Sequence, residues 1–290
     1  MPMLFPRIGL MGKHSNPEVH STLRALIAHL RSEGHTVVLE TQCALSLPDL
    51  NLPPSPSAQL GKLCDLLIVV GGDGSLLEAA RAVVLDQVPV VGVNRGRRGF
   101  LTDISPQALT QSLDPLLNGH YQEERRFLLD FQLLRDGEII ASASALNEIV
   151  LYSGENAKII EFELRINNQF VYSQRSDGLI TTTPTGSTAY ALAGGGPILH
   201  PTLEAIALVP LHPAVLSSRP IVVDSRSQIE LHVIAENLPR VHVSCDGQIH
   251  FEAKPNDVLR IQRKTPELRL LHPLEYDYYR TLQTKLGWSA

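Results

Sequence analysis

The sequence of 290 residues contains only three cysteines, Cys43, Cys64 and Cys245, too few and too scattered for a paired disulfide framework or a CxxC metal or redox motif. A reducing, cytoplasmic setting is expected. Basic residues are not in excess: 25 Lys and Arg face 30 Asp and Glu, a formal net charge of −5. No broad positive field attracts a phosphate backbone, so nucleic acid is not expected as a partner. Uninterrupted apolar runs are missing too. The long uncharged stretch 178–203 is crowded with Thr, Gly and Pro, and its backbone could not stay paired in a bilayer, so no membrane partner is expected. Residues 1–6 lack a basic segment leading into an apolar run and a small-residue cleavage site, so no secretion signal is read. Four familiar site signatures are absent: GxxxxGK[ST], GxGxxG, HExxH and GxSxG. The eleven histidines form no ligand set. His232, His242 and His250 fall on predicted strands and read as structural, and metal ligands stay unassigned.

What is present is ordinary globular material, 43% hydrophobic and 19% charged, with 20 Gly and 20 Pro. At roughly 100–200 residues per domain, two domains are expected. The first third alternates strands at 7–10, 36–39, 65–70 and 88–93 with helices at 17–31 and 75–85. That order predicts βαβ units and a parallel sheet, with ligands beyond the carboxyl ends of its strands. Residues 41–60, with four prolines, read as a long loop or lid. From residue 121 the pattern turns to short alternating runs broken by turns such as Arg135-Asp136-Gly137-Glu138, the mark of an antiparallel sandwich. The expected fold is an α/β N-terminal domain with a parallel sheet plus an all-β C-terminal sandwich domain. The expected limits are 1–120, completed by a helical tail at 273–290, and 121–272.

Four segments carry chemistry. In Val69-Val70-Gly71-Gly72-Asp73-Gly74-Ser75, a buried strand runs through three glycines into a helix, which suits a phosphate held by backbone amides at a helix N-terminus. A tight turn capped by Asp73 or Ser75 would explain the glycines alone. An aspartate inside a phosphate cradle, however, repels its ligand unless it holds a metal or accepts a proton. Residues 92–103 place Arg95, Arg97 and Arg98 among glycines, a setting for a triphosphate or a solvated basic loop. Asn147-Glu148 interrupts an apolar strand, and burying both polar groups is costly unless a ligand with hydroxyls satisfies them; a strand end is the other reading. Residues 175–197 combine short hydroxyl side chains and glycines with Tyr190, offering hydrogen bonds and a stacking surface to a nucleotide. A plain Ser/Thr linker would not contain the apolar strand at 178–180.

In this order and spacing the segments resemble the NAD kinase family. Gly71-Gly72-Asp73-Gly74-Ser75 is similar to its GGDG motif, Asn147-Glu148 to its NE/D motif, and Thr183-Pro184-Thr185-Gly186-Ser187-Thr188-Ala189-Tyr190 to its TPTGSTAY motif. The ending Lys285-Leu286-Gly287-Trp288-Ser289 resembles proteobacterial members. The resemblance implies ATP-dependent phosphorylation of the adenosine-ribose 2′-hydroxyl of NAD to give NADP, and a homodimer or homotetramer as the assembly; apart from the resemblance, a divalent metal ion such as Mg²⁺, held by carboxylate and phosphate, is expected. It implies Asp73 as general base, with Gly74 beside it at the phosphates. Asn147 and Glu148 would hold ribose hydroxyls, and Asp177, Thr185, Thr188, Ala189, Tyr190, Ala191, Leu192 and Ala193 would line the dinucleotide pocket. Lys158, Arg175 and Gln248 are further contact positions. Arg98 and Ala193 depart from the family's usual apolar residue and Ser. A carboxylate of ordinary acidity, about 3.9, is a weak base at neutral pH, so Asp73 would accept its proton late or with help from placement. The rival readings are a lipid kinase of the diacylglycerol type, which shares GGDG but needs an acyl groove, and a non-catalytic NAD-binding sensor, which needs no aspartate at the phosphate turn.

Overall fold

Asn16 accepts a hydrogen bond from the Glu18 amide, and Pro17 occupies the first helical position, so the first long helix starts where its sequence directs and runs Pro17–Ser32. Its buried stripe, Val19, Leu23, Leu26, Ile27 and Leu30, faces the core of the first unit. The computed structural model describes residues 3–13, 15–95, 99–154, 158–234 and 240–288. The chain divides into two compact units, one of residues 1–125 with 266–290 and one of residues 126–265.

The first unit is built on a seven-stranded sheet in the order Pro54–Ser55, Thr36–Glu40, Arg7–Gly12, Leu66–Gly71, Val90–Asn94, Leu268–His272, Gln122–Arg126. The first six strands are parallel neighbours. Leu66–Gly71 is buried along its whole length, which explains its unbroken apolar sequence. The winding reverses between Arg7–Gly12 and Leu66–Gly71, so their carboxyl ends flank a topological switch point, where open α/β sheets bind ligands.

Two expectations change here. Residues 41–60 are structured: Glu40 accepts from the amides of Gln42 and Cys43, starting the helix Thr41–Ser46, and Pro54 sits on an edge strand where its missing donor does no harm. The strand Leu268–His272, expected in the sandwich, joins the first sheet through Leu270 opposite Val90. The tail then forms the helix Tyr278–Leu286, capped by Asp277 and closed by Gly287 at φ 70°.

The second unit holds two six-stranded antiparallel sheets. One runs Gln169–Ser176, Ile160–Ile166, Ile229–Val233, Val258–Arg263, Leu129–Arg135, Glu138–Ala145. The other runs Ile221–Asp224, Ala205–Leu211, Gly178–Thr182, Glu148–Ser153, Val241–Cys245, Ile249–Ala253. Phe131, Phe162, Leu231 and Leu259 from the first pack with Leu151, Leu179, Leu208 and Val243 from the second, a sandwich core. Outside the second sheet, Val150, Ile180 and Val209 pack under Ala191 and Leu199. Burial on both faces gives the strands that carry Val150, Ile180 and Val209 longer unbroken buried stretches than the alternating strands around them. Among the described residues no helix is long and apolar enough to cross a membrane.

Candidate functional site

In the first unit, the buried strand Leu66–Gly71 ends at the glycine turn, and the helix Asp73–Val83 begins at once, with Gly72 as its cap residue. Capping by Asp73 or Ser75 is not what forms: the helix has no side-chain cap. Both Asp73 oxygens instead point to the neighbouring loop, Oδ2 accepting from the Phe100 amide at 2.8 Å and Oδ1 from the Leu101 amide at 3.1 Å. A Cβ on Gly99 would lie 2.7 Å from Asp73 Oδ1, so a side chain there would collide with the carboxylate. Burial pushes the Asp73 carboxyl above its ordinary value, while the two amides and the Lys285 charge pull the other way. The balance makes Asp73 a better base than the ordinary carboxylate expected from sequence.

Of the basic loop, residues 96–98, including Arg97 and Arg98, lie outside the described residues. Arg95 donates from Nε to Thr22 Oγ1 at 2.6 Å, which ties the start of the loop to the first helix. Thr102 Oγ1 is buried with no hydrogen-bond partner among the described residues. It lines a cavity of about 360 Å³ together with Gly99, Phe100, Asp103 and, from the C-terminal helix, Arg280 and Lys285.

In the second unit, Asn147 and Glu148 stand at the bend that opens the strand Glu148–Ser153, both buried. Sequence reasoning missed the residue that shapes this bend. Asp246 accepts from the amides of Leu146 at 3.0 Å, Asn147 at 2.8 Å and Glu148 at 3.3 Å. It occupies a hairpin turn with Gly247, φ 54° and 65° respectively, and an Asp-Gly pair between two alternating apolar runs was the signal available for that turn. Glu148 Oε2 is buried with no hydrogen-bond partner among the described residues. Burial, helped by the Asp246 charge, pushes the Glu148 carboxyl up to about 8, so at neutral pH it is mostly protonated and can both donate and accept.

The 183–188 segment is knitted to this bend. Thr183 Oγ1 donates to Leu146 O at 2.6 Å, Thr182 Oγ1 to Asn147 O at 3.0 Å, and a Cβ on Gly186 would lie 2.3 Å from Asn147 O. Ser187 Oγ donates to Pro184 O and accepts from the Leu199 amide. Several hydroxyls that read as an open nucleotide surface are therefore internal fasteners of the backbone. Thr185 is buried and accepts from Arg126 at 3.4 Å. Thr188, Ala189 and Leu192 are half-buried, and Tyr190 and Ala193 are exposed. Ala191 packs inward beneath the second sheet.

Tyr190 and Ala193 share a cavity of about 310 Å³ with His212. His212 Nδ1 lies 2.9 Å from Asp177 Oδ2, which brings Asp177 to the same corner. Arg175 is exposed and lies 4.0 Å from Glu161, its cross-strand neighbour. Lys158 and Gln248 are exposed, Gln248 in the hairpin next to Asp246.

Residues 9–121 match the ATP-NAD kinase N-terminal domain and residues 146–272 the ATP-NAD kinase C-terminal domain. The sequence is 51% identical to an NAD kinase of Chromohalobacter salexigens over 286 residues, 99% of this chain and 98% of the relative. It is 52% identical to one of Hahella chejuensis over 286 residues, 99% and 97% respectively. Among solved structures, yeast NADH kinase complexed with NADH superposes with a TM-score of 0.92 at 22% identity, over 100% of this chain and 89% of the other, a likeness of fold. An NAD kinase from Archaeoglobus fulgidus in complex with ATP gives 0.77 at 25% identity, over 98% and 100%.

Proposed function

The chain belongs to the NAD kinase family, and from that premise we propose that it transfers the γ-phosphoryl group of ATP to the adenosine-ribose 2′-hydroxyl of NAD, with Asp73 as the general base. The observation that carries this reading is the Asp73 carboxylate, held in the glycine turn at the switch point by two loop amides and raised by burial above its ordinary value. Each of its oxygens keeps a second lone pair for a substrate proton. The ribose oxygen bonds to the γ-phosphorus, and the bond from that phosphorus to the β,γ-bridging oxygen breaks with its electron pair left on ADP. The hydroxyl proton passes to Asp73. Such a transfer depends on positioning and charge neutralisation, which the turn amides near Gly74 and the basic loop supply to the triphosphate.

Asn147 and the protonated Glu148 are assigned to ribose hydroxyls. The unsatisfied Oε2 supports this, because a buried polar atom without a partner is costly until a ligand provides one. A lipid acyl chain would not satisfy it. Asp177, Thr185, Thr188, Ala189, Tyr190, Leu192 and Ala193 are assigned to the dinucleotide, Ala191 as packing beneath them, and Lys158, Arg175 and Gln248 as peripheral contacts. Among the described residues, no three His, Cys, Asp or Glu side chains are grouped to hold a metal ion. The donor set does not fit a resident metal, and the divalent cation is assigned to the nucleotide as part of the substrate. Three buried cysteines outside any disulfide agree with a cytoplasmic location, and a homodimer or homotetramer is the proposed assembly. A coupled assay with ATP, Mg²⁺ and NAD, scored for NADP, tests the function. Asp73→Asn should lower turnover roughly 10²–10⁴-fold while NAD still binds; near-normal turnover would overturn the assignment.

A further inference from the structure

We propose that Lys285 is a positioning residue for Asp73, so that the C-terminal helix Tyr278–Leu286 is part of the phosphoryl-transfer apparatus. The inference rests on the reading of Asp73 as general base.

The geometry starts with the loop at 99–103. Its Phe100 and Leu101 amides grip the Asp73 carboxylate, and Gly99 lets the backbone come close enough to do so. The same loop holds the C-terminal segment. Asp103 Oδ2 lies 2.8 Å from His272 Nδ1, and the buried His272 also has its Nε2 3.3 Å from Glu124. Burial works against a charge on His272, but the two carboxylates overcome it and raise its pKa, so the contact is an ion pair over a wider pH range than an ordinary histidine allows. The His272 ring stacks on Tyr276 with centroids 3.9 Å apart. From there Asp277 caps the helix and Leu282 anchors it.

This chain of contacts delivers Lys285 to the cavity of about 360 Å³ that Gly99 and Phe100 also line. The other charged groups around that cavity are Asp103, Glu275, Asp277 and Arg280. Asp103 is paired with His272, and Asp277 is occupied by the amides of Tyr279 and Arg280. From this cavity the Lys285 charge acts on Asp73, where it favours the ionised form that burial opposes. Lys285 is half-buried on the last turn of its helix.

The experiment is the pH dependence of kcat/KM for NAD at saturating ATP and Mg²⁺. In the wild type the acidic limb reports ionisation of Asp73 in the free enzyme. Lys285→Met removes the positive charge, so the limb should move to higher pH by about half a unit, the order of the effect of one solvent-screened opposite charge. Lys285→Arg should restore it, and KM for NAD at high pH and the thermal midpoint should stay as in wild type. A limb that does not move in Lys285→Met, with Asp73→Asn inactive, would overturn the role of Lys285 and leave Asp73 standing. An active Asp73→Asn would overturn the general base and this inference with it.

Discussion

Glu148→Gln tests the buried carboxyl most directly, because its outcome runs opposite to ordinary loss of a native residue. In the folded chain the carboxyl titrates at about 8, against 4.5 for the unfolded reference. Its contribution to stability is fully present below the unfolded value and is lost as pH rises through the folded one. Between those limits the shift corresponds to roughly 4–5 kcal/mol at most, at about 1.4 kcal/mol per unit. Water entering as the group ionises would reduce that figure to about 1–3 kcal/mol. Glutamine has the same shape and, like a protonated carboxyl, donates and accepts, but it never ionises. The variant should therefore match wild type near pH 5 and be more stable at pH 8.5, and its NAD affinity at neutral pH should fall far less than that of Glu148→Ala, which should lose about 1–3 kcal/mol. Thermal midpoints across pH 5–9, with calorimetry of NAD binding, read both effects. Parallel stability curves for wild type and Glu148→Gln would refute the raised carboxyl, and unchanged NAD affinity in Glu148→Ala would refute its role as a ligand.

Gly99→Ala puts a methyl group 2.7 Å from Asp73 Oδ1; steady-state kinetics should show kcat down by roughly 10–100-fold with KM for NAD little changed, and a wild-type kcat would remove the loop amides from the mechanism. Asp246→Ala leaves three backbone donors without their acceptor, so denaturant titration should show about 2–4 kcal/mol less stability and calorimetry a parallel loss of NAD affinity; intact affinity would show that Asn147 and Glu148 hold their places unaided. Arg175→Lys keeps the charge opposite Glu161 but loses the planar fork of donors, so it should alter the ratio of kcat/KM for NAD over NADH while KM for ATP stays constant. Equal losses for both dinucleotides would leave Arg175 with only its ion pair.

The legible parts of the site were those written in consecutive residues. Gly71 to Ser75 announces a strand, a glycine turn and a helix, and Asp73 stands out because an acid is chemically odd in that turn. The helix Pro17–Ser32 was equally plain, since Asn16 and Pro17 are local start signals. The 41–60 region misled because its prolines suggest a loop, whereas Glu40 folds back onto two amides and starts a short helix. The hydroxyls at 182, 183 and 187 misled for a related reason. A threonine that bonds a ligand and one that bonds a distant carbonyl have the same sequence signature, and only the arrival of Leu146 and Asn147 decides between them.

By itself, then, the sequence determined the two fold classes and the order of most elements, and it singled out Asp73 as the candidate base, because hydrophobic period, glycine freedom and capping act over a few residues. Tertiary structure decided what those groups experience. Asp246 shapes the bend at Asn147 from 99 residues away, the strand Leu268–His272 closes onto Val90–Asn94, and the last helix brings Lys285 within electrostatic reach of Asp73. Ionisation depends on burial and on the charges nearby in space, and both are set by contacts between segments that no local pattern records.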